Sequence, residues 1–203
     1  MNALAVYCGS SAGSGTTYVS LAREVGREMA RRGITLVYGG GSVGLMGAVA
    51  DAALAGGGKV IGVIPHFLNT RELAHSACTE LIVVNSMHER KAVMASLCEG
   101  FVALPGGFGT LDEIFEALTW SQLGLHPWPC GLLDTDGYFA PLVQCLDGMV
   151  HRGFLRPEDR GRLLHAQAFS ELLENMAAWR VPDGLKWQDL PTLEAAKRAL
   201  EFS

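Results

Sequence analysis

Short apolar runs alternate along the chain with longer segments in which apolar residues recur at helical spacing. The runs that predict strands are ALAVYCG, ITLVYGG, KVIGVIP, TELIVVN, FVALPGG, PCGLLD and a weaker RLLHAQ. The helical patterns cover residues 17–33, 43–57, 87–100, 110–124, 138–153 and 169–179. Strands that alternate with helices and are apolar on both faces are typical of covered parallel sheets. The pattern predicts an α/β fold with a doubly wound, mainly parallel sheet and helices on both faces.

The length of 203 residues suits a single domain with a full hydrophobic core. We assign that domain to residues 1–179. The remaining segment, residues 180–203, contains two prolines and a short helical pattern. It is predicted to be an appendage that packs on the domain or on a partner.

Composition and charge argue against several classes of protein. Hydrophobic residues make up 49% of the chain, and the net charge of −5 provides no basic field for polymeric nucleic acid. A phosphate ligand would therefore be small. The apolar runs are too short to span a bilayer, and the N-terminus lacks the basic region of a signal peptide, so we expect no membrane partner. The five cysteines form no CxxC pair, which favours reduced thiols in the cytoplasm over disulfides or a metal site.

Glycines cluster after three of the predicted strands, in CGSSAGSG, YGGGSVGLMG and LPGGFGT. In a parallel sheet these turns lie at the same carboxyl edge, where open α/β folds bind ligands and helix N-termini attract phosphate. Any one turn could serve only close packing of a strand against a helix. Three together favour a nucleotide or a sugar phosphate.

The second glycine turn matches GxGxxG at Gly39, Gly41 and Gly44, which alone is a weak indication of dinucleotide binding. The acidic residue that should close the next strand is missing, because KVIGVIP is followed by His66. No glycine loop carries the Lys-Ser/Thr pair of a Walker A motif. These features favour a mononucleotide that binds without a metal.

The helix that begins MHERK carries an arginine where an apolar residue is expected. Ser86 and Glu89 form a capping box for this helix. Arg90 lies at helical spacing with its apolar residues, where an arginine is rarely unpaired. Arg90 is therefore either in a structural ion pair with an acid on the neighbouring helix or a ligand for an anion at the sheet edge.

The segment PGGFGTLDE predicts a turn and then a helix opened by a capping box between Thr110 and Glu113. The positive end of that helix should keep Glu113 ionised. Such a carboxylate could stabilise a developing cation or deprotonate a water, so Glu113 could be both cap and catalyst. Glu116 and Thr119 follow on the same face, and Glu116 is either solvated or paired with a cation.

PGGFGTLDE matches the signature PGGxGTxxE, and SMHERK matches the upstream element MxxRK. With YGGGSVGLMG and TWSQLGLHPWPCGLLDTDGYF, these motifs make residues 3–165 similar to the LOG family. Its members are cytokinin riboside 5′-monophosphate phosphoribohydrolases, often mislabelled lysine decarboxylases. The resemblance implies a Rossmann-like homodimer that hydrolyses the N-glycosidic bond of a nucleoside 5′-monophosphate. It implies no cofactor and no metal.

By this resemblance, the catalytic pair falls on Arg90 and Glu113. The substrate contacts are predicted at Gly40, Gly44, Glu72, Lys91, Gly107, Gly109, Thr110 and Thr119. Asp134 stands where many relatives have asparagine, and the segment 72–86 is less similar to the family than the rest. Both departures leave the preferred base open between adenine and a cytokinin.

The predicted chemistry builds positive charge on the ribose as the C–N bond breaks, and a carboxylate at Glu113 would stabilise it. Because a guanidinium does not readily give up a proton, Arg90 is expected to orient the substrate or Glu113. His88 is a weak candidate for the acid that protonates the base. The alternative function is a non-catalytic nucleotide carrier or sensor. A pyridoxal-dependent decarboxylase is disfavoured, because no suitable setting surrounds Lys59, Lys91, Lys186 or Lys197.

Overall fold

A computed structural model of the chain describes residues 1–69 and 73–182. The strands are β1 (Ala3–Tyr7), β2 (Thr35–Tyr38), β3 (Val60–Pro65), β4 (Glu80–Val84), β5 (Phe101–Ala103), β6 (Cys130–Leu133) and β7 (Leu163–Ala166). The helices are α1 (Thr17–Arg31), α2 (Gly44–Ala55), α3 (Met87–Ser96), α4 (Phe108–Gln122), α5 (Ala140–His151), α6 (Pro157–Arg160) and α7 (Phe169–Ala178). The predicted strands and longer helices are all present. Helix α6 and two short 3-10 turns, at His66–Leu68 and Thr135–Gly137, were not predicted.

All the strands pair in parallel in one sheet, in the order β4-β3-β2-β1-β5-β6-β7. The chain builds outward from β1 to β4, and then returns to the other side of β1 with β5. Val6 of β1 therefore lies between Tyr38 and Val102. The strand order reverses between β1 and β5, which is the point at which open α/β sheets bind ligands. The predicted doubly wound, Rossmann-like α/β fold is confirmed.

The hydrophobic core has two layers because successive side chains of each strand point to opposite faces of the sheet. Leu4 and Val6 of β1 pack with helices α1, α2 and α7, and Ala5 and Tyr7 pack with α3, α4 and α5. Both faces of the sheet are therefore covered by helices, and the carboxyl edge between the two layers stays open for a ligand.

The ends of two helices test the predicted capping boxes. At α3, the Ser86 hydroxyl accepts from the Glu89 amide at 3.1 Å, and the Glu89 carboxylate accepts from the Asn85 amide at 2.7 Å. The Ser86 cap is confirmed, and the reciprocal bond of Glu89 is made to the amide before the N-cap rather than to that of Ser86. The capping box predicted at α4 is wrong, because α4 begins at Phe108 and its N-cap is Gly107, which has no side chain. Glycine lets the chain turn into the helix directly after the strand.

The start of α4 at Phe108 moves Thr110 into its first turn and Glu113 into its second. The first-turn amides, which lack intrahelical acceptors, are thus left without the side-chain cap that the sequence predicted. They remain available to a ligand at the carboxyl edge.

Across residues 1–69 and 73–182, no helix combines the length and the apolar character needed to cross a bilayer. From residue 183 onward, the predicted appendage lies outside the described residues. The division at residue 179 stays a prediction. All five cysteines are free thiols; Cys8, Cys98 and Cys130 are buried, whereas Cys145 is exposed.

Candidate active site

A cleft of about 450 Å³ opens at the carboxyl edge of the sheet. The turns after β1, β2 and β5 form its walls, so the three glycine-rich segments meet as predicted. Its lining residues are Cys8, Gly9, Ser10, Gly39, Gly41, Val43, Met46, Ile64, Leu68, Leu73, Arg90, Gly107, Phe108, Gly109, Thr110 and Glu113. The cleft thus combines backbone-rich glycine turns, an apolar wall and one buried cation beside one buried carboxyl group.

Arg90 is held at the floor of this cleft by contacts with β3, with the residue after β2 and with α4. Its Nε donates to the Val63 carbonyl at 3.0 Å, and its Nη2 donates to the Gly39 carbonyl at 3.1 Å. Its Nη1 lies 3.6 Å from Oε1 of Glu113. The guanidinium therefore joins the ends of β2 and β3 to α4. The sequence left open an ion pair or a ligand for an anion, and the structure shows the ion pair within the cleft.

Two glycines of the second turn are required by close approach. A Cβ at Gly39 would overlap the Arg90 guanidinium. Gly44 has a φ of +62°, and a Cβ there would overlap the backbone of Ser10. The start of α2 is thereby held against the first glycine turn, where the Leu45 amide donates to the Gly9 carbonyl at 3.0 Å.

Glu113 is buried beside Arg90, and its burial dominates its ionisation. Burial raises the pKa of Glu113 to about 7, although the charge of Arg90 acts to lower it. The expectation that the positive end of the helix keeps Glu113 ionised is wrong, because a pKa of about 7 leaves much of the carboxyl group protonated at neutral pH. Since α4 begins at Phe108, the carboxyl group lies beyond the first turn, where the helix dipole has lost most of its effect. A pKa near the working pH suits a group that exchanges a proton during a reaction.

Lys91 pairs with carboxylates and does not line the cleft. Its Nζ lies 3.1 Å from Oδ2 of Asp112 and 3.0 Å from Oε2 of Glu116. Burial acts against the charge of Lys91, but these hydrogen bonds outweigh it and raise its pKa. Of the alternatives for Glu116, the salt bridge is confirmed. A contact between Lys91 and the nucleotide stays a prediction.

The structure brings together some of the other predicted substrate-binding residues. Gly107, Gly109 and Thr110 line the cleft at the start of α4. Gly40 does not, and a Cβ there would press on Ile64. Gly44 has the packing role described above and is also outside the cleft lining.

Thr119 and Glu72 do not contribute to the described cleft. Thr119 lies on an exposed part of α4, where its hydroxyl donates to the Phe115 carbonyl at 2.8 Å. Glu72 lies outside the described residues. His88 is exposed and does not line the cleft, which agrees with an ordinary surface position on the helix.

Two features of the site were not predicted from the sequence: the apolar wall of the cleft and the hydrogen bond that supports the third glycine turn, LPGGFGT. Cys8, Met46 and Leu68 line the cleft, and burial raises the pKa of the Cys8 thiol, so it is not an activated nucleophile. The Tyr138 hydroxyl donates to the Gly106 carbonyl at 2.6 Å. The aromatic residue in TDGYF was the available signal, but only the fold brings it to this turn.

Asp134, the position where many relatives have asparagine, has a structural role. It is buried, and its Oδ1 accepts from the Phe139 amide at 2.6 Å, which closes the turn that carries Tyr138. An asparagine side-chain oxygen could accept the same bond. Asp134 does not line the cleft, so this departure from the family pattern does not bear directly on the base.

Comparison with known proteins decides the family. The model of a family described as "Possible lysine decarboxylase" matches residues 46–176. The cytokinin riboside 5′-monophosphate phosphoribohydrolase of Rhodococcoides fascians is 51% identical over 160 residues, which cover 78% of this chain and 81% of that protein. The chain belongs to the LOG family.

Two plant members of the LOG family are also similar to this chain. LOG1 of Arabidopsis thaliana, a cytokinin riboside 5′-monophosphate phosphoribohydrolase, is 46% identical over 173 residues, covering 85% of this chain and 81% of that protein. The probable cytokinin riboside 5′-monophosphate phosphoribohydrolase LOGL3 of Oryza sativa subsp. japonica is 46% identical over 188 residues. These cover 90% of this chain and 89% of that protein. The resemblance inferred from the two motifs is confirmed.

Two solved structures have the same fold as this LOG-family chain. The molybdenum cofactor binding protein of Rippkaea orientalis superposes with a TM-score of 0.66 at 22% identity, covering 87% of this chain and 95% of that chain. The molybdenum cofactor carrier protein of Chlamydomonas reinhardtii superposes with a TM-score of 0.65 at 23% identity, covering 87% of this chain and 98% of that chain. At this identity the likeness carries no conclusion about ligands.

The description "Possible lysine decarboxylase" implies pyridoxal phosphate, which needs a lysine in the site. Within residues 1–69 and 73–182, the lysines are Lys59 and Lys91. Lys59 is exposed just before β3, and Lys91 is held by two carboxylates. Neither lines the cleft, so the residues described there do not fit the cofactor.

Proposed function

We propose that the protein hydrolyses the N-glycosidic bond of a nucleoside 5′-monophosphate, either a cytokinin riboside monophosphate or AMP. The products are the free base and ribose 5-phosphate. The observation that carries this proposal is the buried pair of Arg90 and Glu113 in a cleft that also contains the start of α4. The activities named for the relatives at 46% to 51% identity support it.

The start of α4 is the proposed site of the 5′-phosphate. Phe108, Gly109 and Thr110 form the first turn, whose amides lack intrahelical acceptors and lie at the positive end of the helix dipole. All three residues line the cleft. Phosphate binding at this point would place the ribose over Glu113 and use the binding energy of the phosphate to orient the reacting bond.

Glu113 is proposed to act on the anomeric carbon. The bond between C1′ and the base nitrogen breaks with its electron pair leaving on the base, and positive charge builds on the ribose. The ionised carboxylate stabilises that charge and accepts a proton as a water oxygen bonds to C1′. In the balance of the reaction, the hydroxyl of the water goes to C1′ and its proton ends on the base.

Arg90 is proposed to orient Glu113 and the substrate relative to each other. Its Nε and Nη2 are already engaged by the Val63 and Gly39 carbonyls, so the group cannot move without breaking two bonds. Because a guanidinium stays protonated, its contribution is orientation and positive charge rather than proton transfer.

The apolar wall of the cleft is the proposed site of the base. It is formed by side chains from the second glycine turn, β3 and the segments that follow: Val43, Met46, Ile64, Leu68 and Leu73. Apolar side chains of this kind suit the face of a purine and an apolar substituent on it. The proposal therefore includes both adenine and an N6-substituted adenine as the base.

We also propose a homodimer in the cytoplasm. Met149 and Phe154, at the end of α5 and just after it, are 40% and 87% exposed. Phe115 of α4 lines a groove together with Met149. Such a face suits a second copy of the chain. Sedimentation of the purified protein tests this, and Met149→Glu should shift a dimer towards monomer. The free thiols support a reducing compartment.

Base release is the experiment that tests the proposed activity. Purified protein is incubated with AMP and with isopentenyladenosine monophosphate, and the free base is followed by chromatography. Release of base and ribose 5-phosphate supports the proposal. Tight binding of the nucleotide with no release would contradict it and favour the non-catalytic carrier or sensor.

A further inference from the structure

Lys91 is a buried cation whose partners are on the next helix rather than in the cleft. Its side chain is 8% exposed, whereas its partners Asp112 and Glu116 are 62% and 25% exposed. Burying a lysine is costly unless it is paired and hydrogen-bonded. The two carboxylates satisfy that requirement on one side of α4, so the free protein already accounts for the charge of Lys91 without a ligand.

The two cations of α3 engage α4 as a set. Arg90 contacts Glu113, and the next residue, Lys91, contacts the residue before Glu113 and the residue three positions after it. Asp112 and Glu116 are four residues apart and so lie on the same side of α4. A single ammonium that contacts both of them ties this side of the helix to α3, beside the contact between Arg90 and Glu113.

The same arrangement determines the charge around Glu113. From α3 it is faced by Arg90 and Lys91, and from its own helix by Asp112 and Glu116. Tyr7 of β1 and Cys8 beyond it are near as well, but burial raises the pKa of both, so they are neutral. Two cations therefore balance three carboxyl groups. Without Lys91, Arg90 alone would face all three.

We propose that Lys91 is a positioning residue: through Asp112 and Glu116 it fixes α4 against α3 and holds Glu113 beside Arg90. Its part in catalysis rests on the function proposed above. This role differs from the nucleotide contact that the family resemblance implies for Lys91. The two roles lead to different results, because loss of a positioning residue lowers kcat with little change in KM, whereas loss of a ligand for the nucleotide raises KM.

The ionisation of Glu113 is measured directly by carbon NMR of its side-chain carboxyl group, assigned from its loss in Glu113→Gln. Lys91→Met should raise the pKa of Glu113 by about one unit, because a cation is removed. Asp112→Asn should lower it, and Lys91→Arg should leave it near the wild-type value. If Lys91→Met does not fold, Lys91→Gln retains a hydrogen-bond donor and gives the same test without the charge.

Turnover of AMP provides the second measurement. An upward shift of one unit from about 7 reduces the ionised fraction at pH 7 by about five-fold, so kcat of Lys91→Met should fall by about that factor and recover towards pH 9. The KM for AMP should change by less than about two-fold, since the residue does not line the cleft. Lys91→Arg should restore the wild-type pH profile.

Either of two results would overturn the inference. One is a pKa of Glu113 that is the same in Lys91→Met as in the wild type. The other is a KM raised by about ten-fold or more with kcat unchanged, which indicates lost substrate binding. Absence of base release from the wild type contradicts the proposed function alone, since the NMR titration needs no turnover and still tests the effect of Lys91 on Glu113.

Discussion

The guanidinium of Arg90 lies 3.6 Å from the carboxylate of Glu113, and the two side chains are 9% and 10% exposed. The contact is not an isolated ion pair, because Arg90 also donates to two strand-end carbonyls. The sheet edge thereby fixes the cation, and the cation fixes the carboxylate. The catalytic proposal depends on this support of Glu113 by Arg90, and of Arg90 by the sheet.

Gly39→Ala should disable the site without touching the substrate directly. The added methyl group would overlap the Arg90 guanidinium and displace it from both carbonyls. We expect kcat/KM to fall by about 100-fold, the effect of a displacement of about 1 Å in a catalytic group. Steady-state kinetics with AMP measure it. Gly161→Ala is the matched control, because its Cβ would meet only ordinary contacts at 3.4 Å and beyond; equal activity of the two variants would contradict the role of Gly39.

Glu113 should make the protein less stable as the pH rises. Its pKa is raised from the ordinary 4.5 to about 7, so between these values the folded protein binds more protons than the unfolded chain. The contribution of Glu113 to the free energy of unfolding is fully present below pH 4.5. It is lost as the pH rises through 7, and the total loss is about 3 kcal/mol. Urea unfolding of wild type and Glu113→Gln at pH 5 and pH 8 measures the difference. A stability difference between them that does not change with pH would count against the buried carboxyl group.

His126 should make the protein less stable as the pH falls. Burial lowers its pKa from the ordinary 6.5 to about 4, and its hydrogen bond to the Ala117 carbonyl only partly opposes this. Its contribution is present above pH 6.5 and is lost as the pH falls through 4, again by about 3 kcal/mol. Comparison with His126→Gln between pH 7 and pH 4.5 isolates this contribution. If both proteins lose the same stability over that range, the histidine is not the cause.

Tyr138→Phe should weaken binding of the phosphate without abolishing turnover. Loss of the hydroxyl leaves the Gly106 carbonyl without its donor and loosens the turn that leads into α4. A lost hydrogen bond of about 1 kcal/mol predicts a KM for AMP raised by about five-fold, with a smaller change in kcat. Tyr18→Phe is the control, because its ring packs edge-on against Tyr138 at 5.6 Å while the contact with Gly106 stays intact. An equal effect of both substitutions would contradict the role of the hydroxyl.

The sheet and its order of elements could be predicted because each strand is a short apolar run bounded by a glycine turn or a helix pattern. The meeting of three glycine turns at one edge followed from parallel topology, and the ion pair of Arg90 was one of two stated alternatives. In contrast, the start of α4 was misplaced by the capping pattern of Thr110 and Glu113. A backbone cap at Gly107 has no side-chain signature that could compete with it.

The electrostatics of the site could not be predicted from local sequence. The pKa of Glu113 depends on its burial and on Arg90 and Lys91 of α3, which only the fold brings to α4. The same is true of Tyr138, which lies 32 residues from the Gly106 carbonyl that it binds. Helix α6 was missed because a four-residue helix is too short to show a helical period.

The central claim is that Glu113 acts on the ribose of a bound nucleotide. The most direct measurement follows base release from AMP and from isopentenyladenosine monophosphate by wild type and by Glu113→Gln, with nucleotide binding measured in parallel by calorimetry. We expect the variant to bind nucleotide and to lose turnover by at least about 100-fold, while the wild type releases free base and ribose 5-phosphate. Full activity of Glu113→Gln, or tight binding by the wild type with no release of base, would contradict the account.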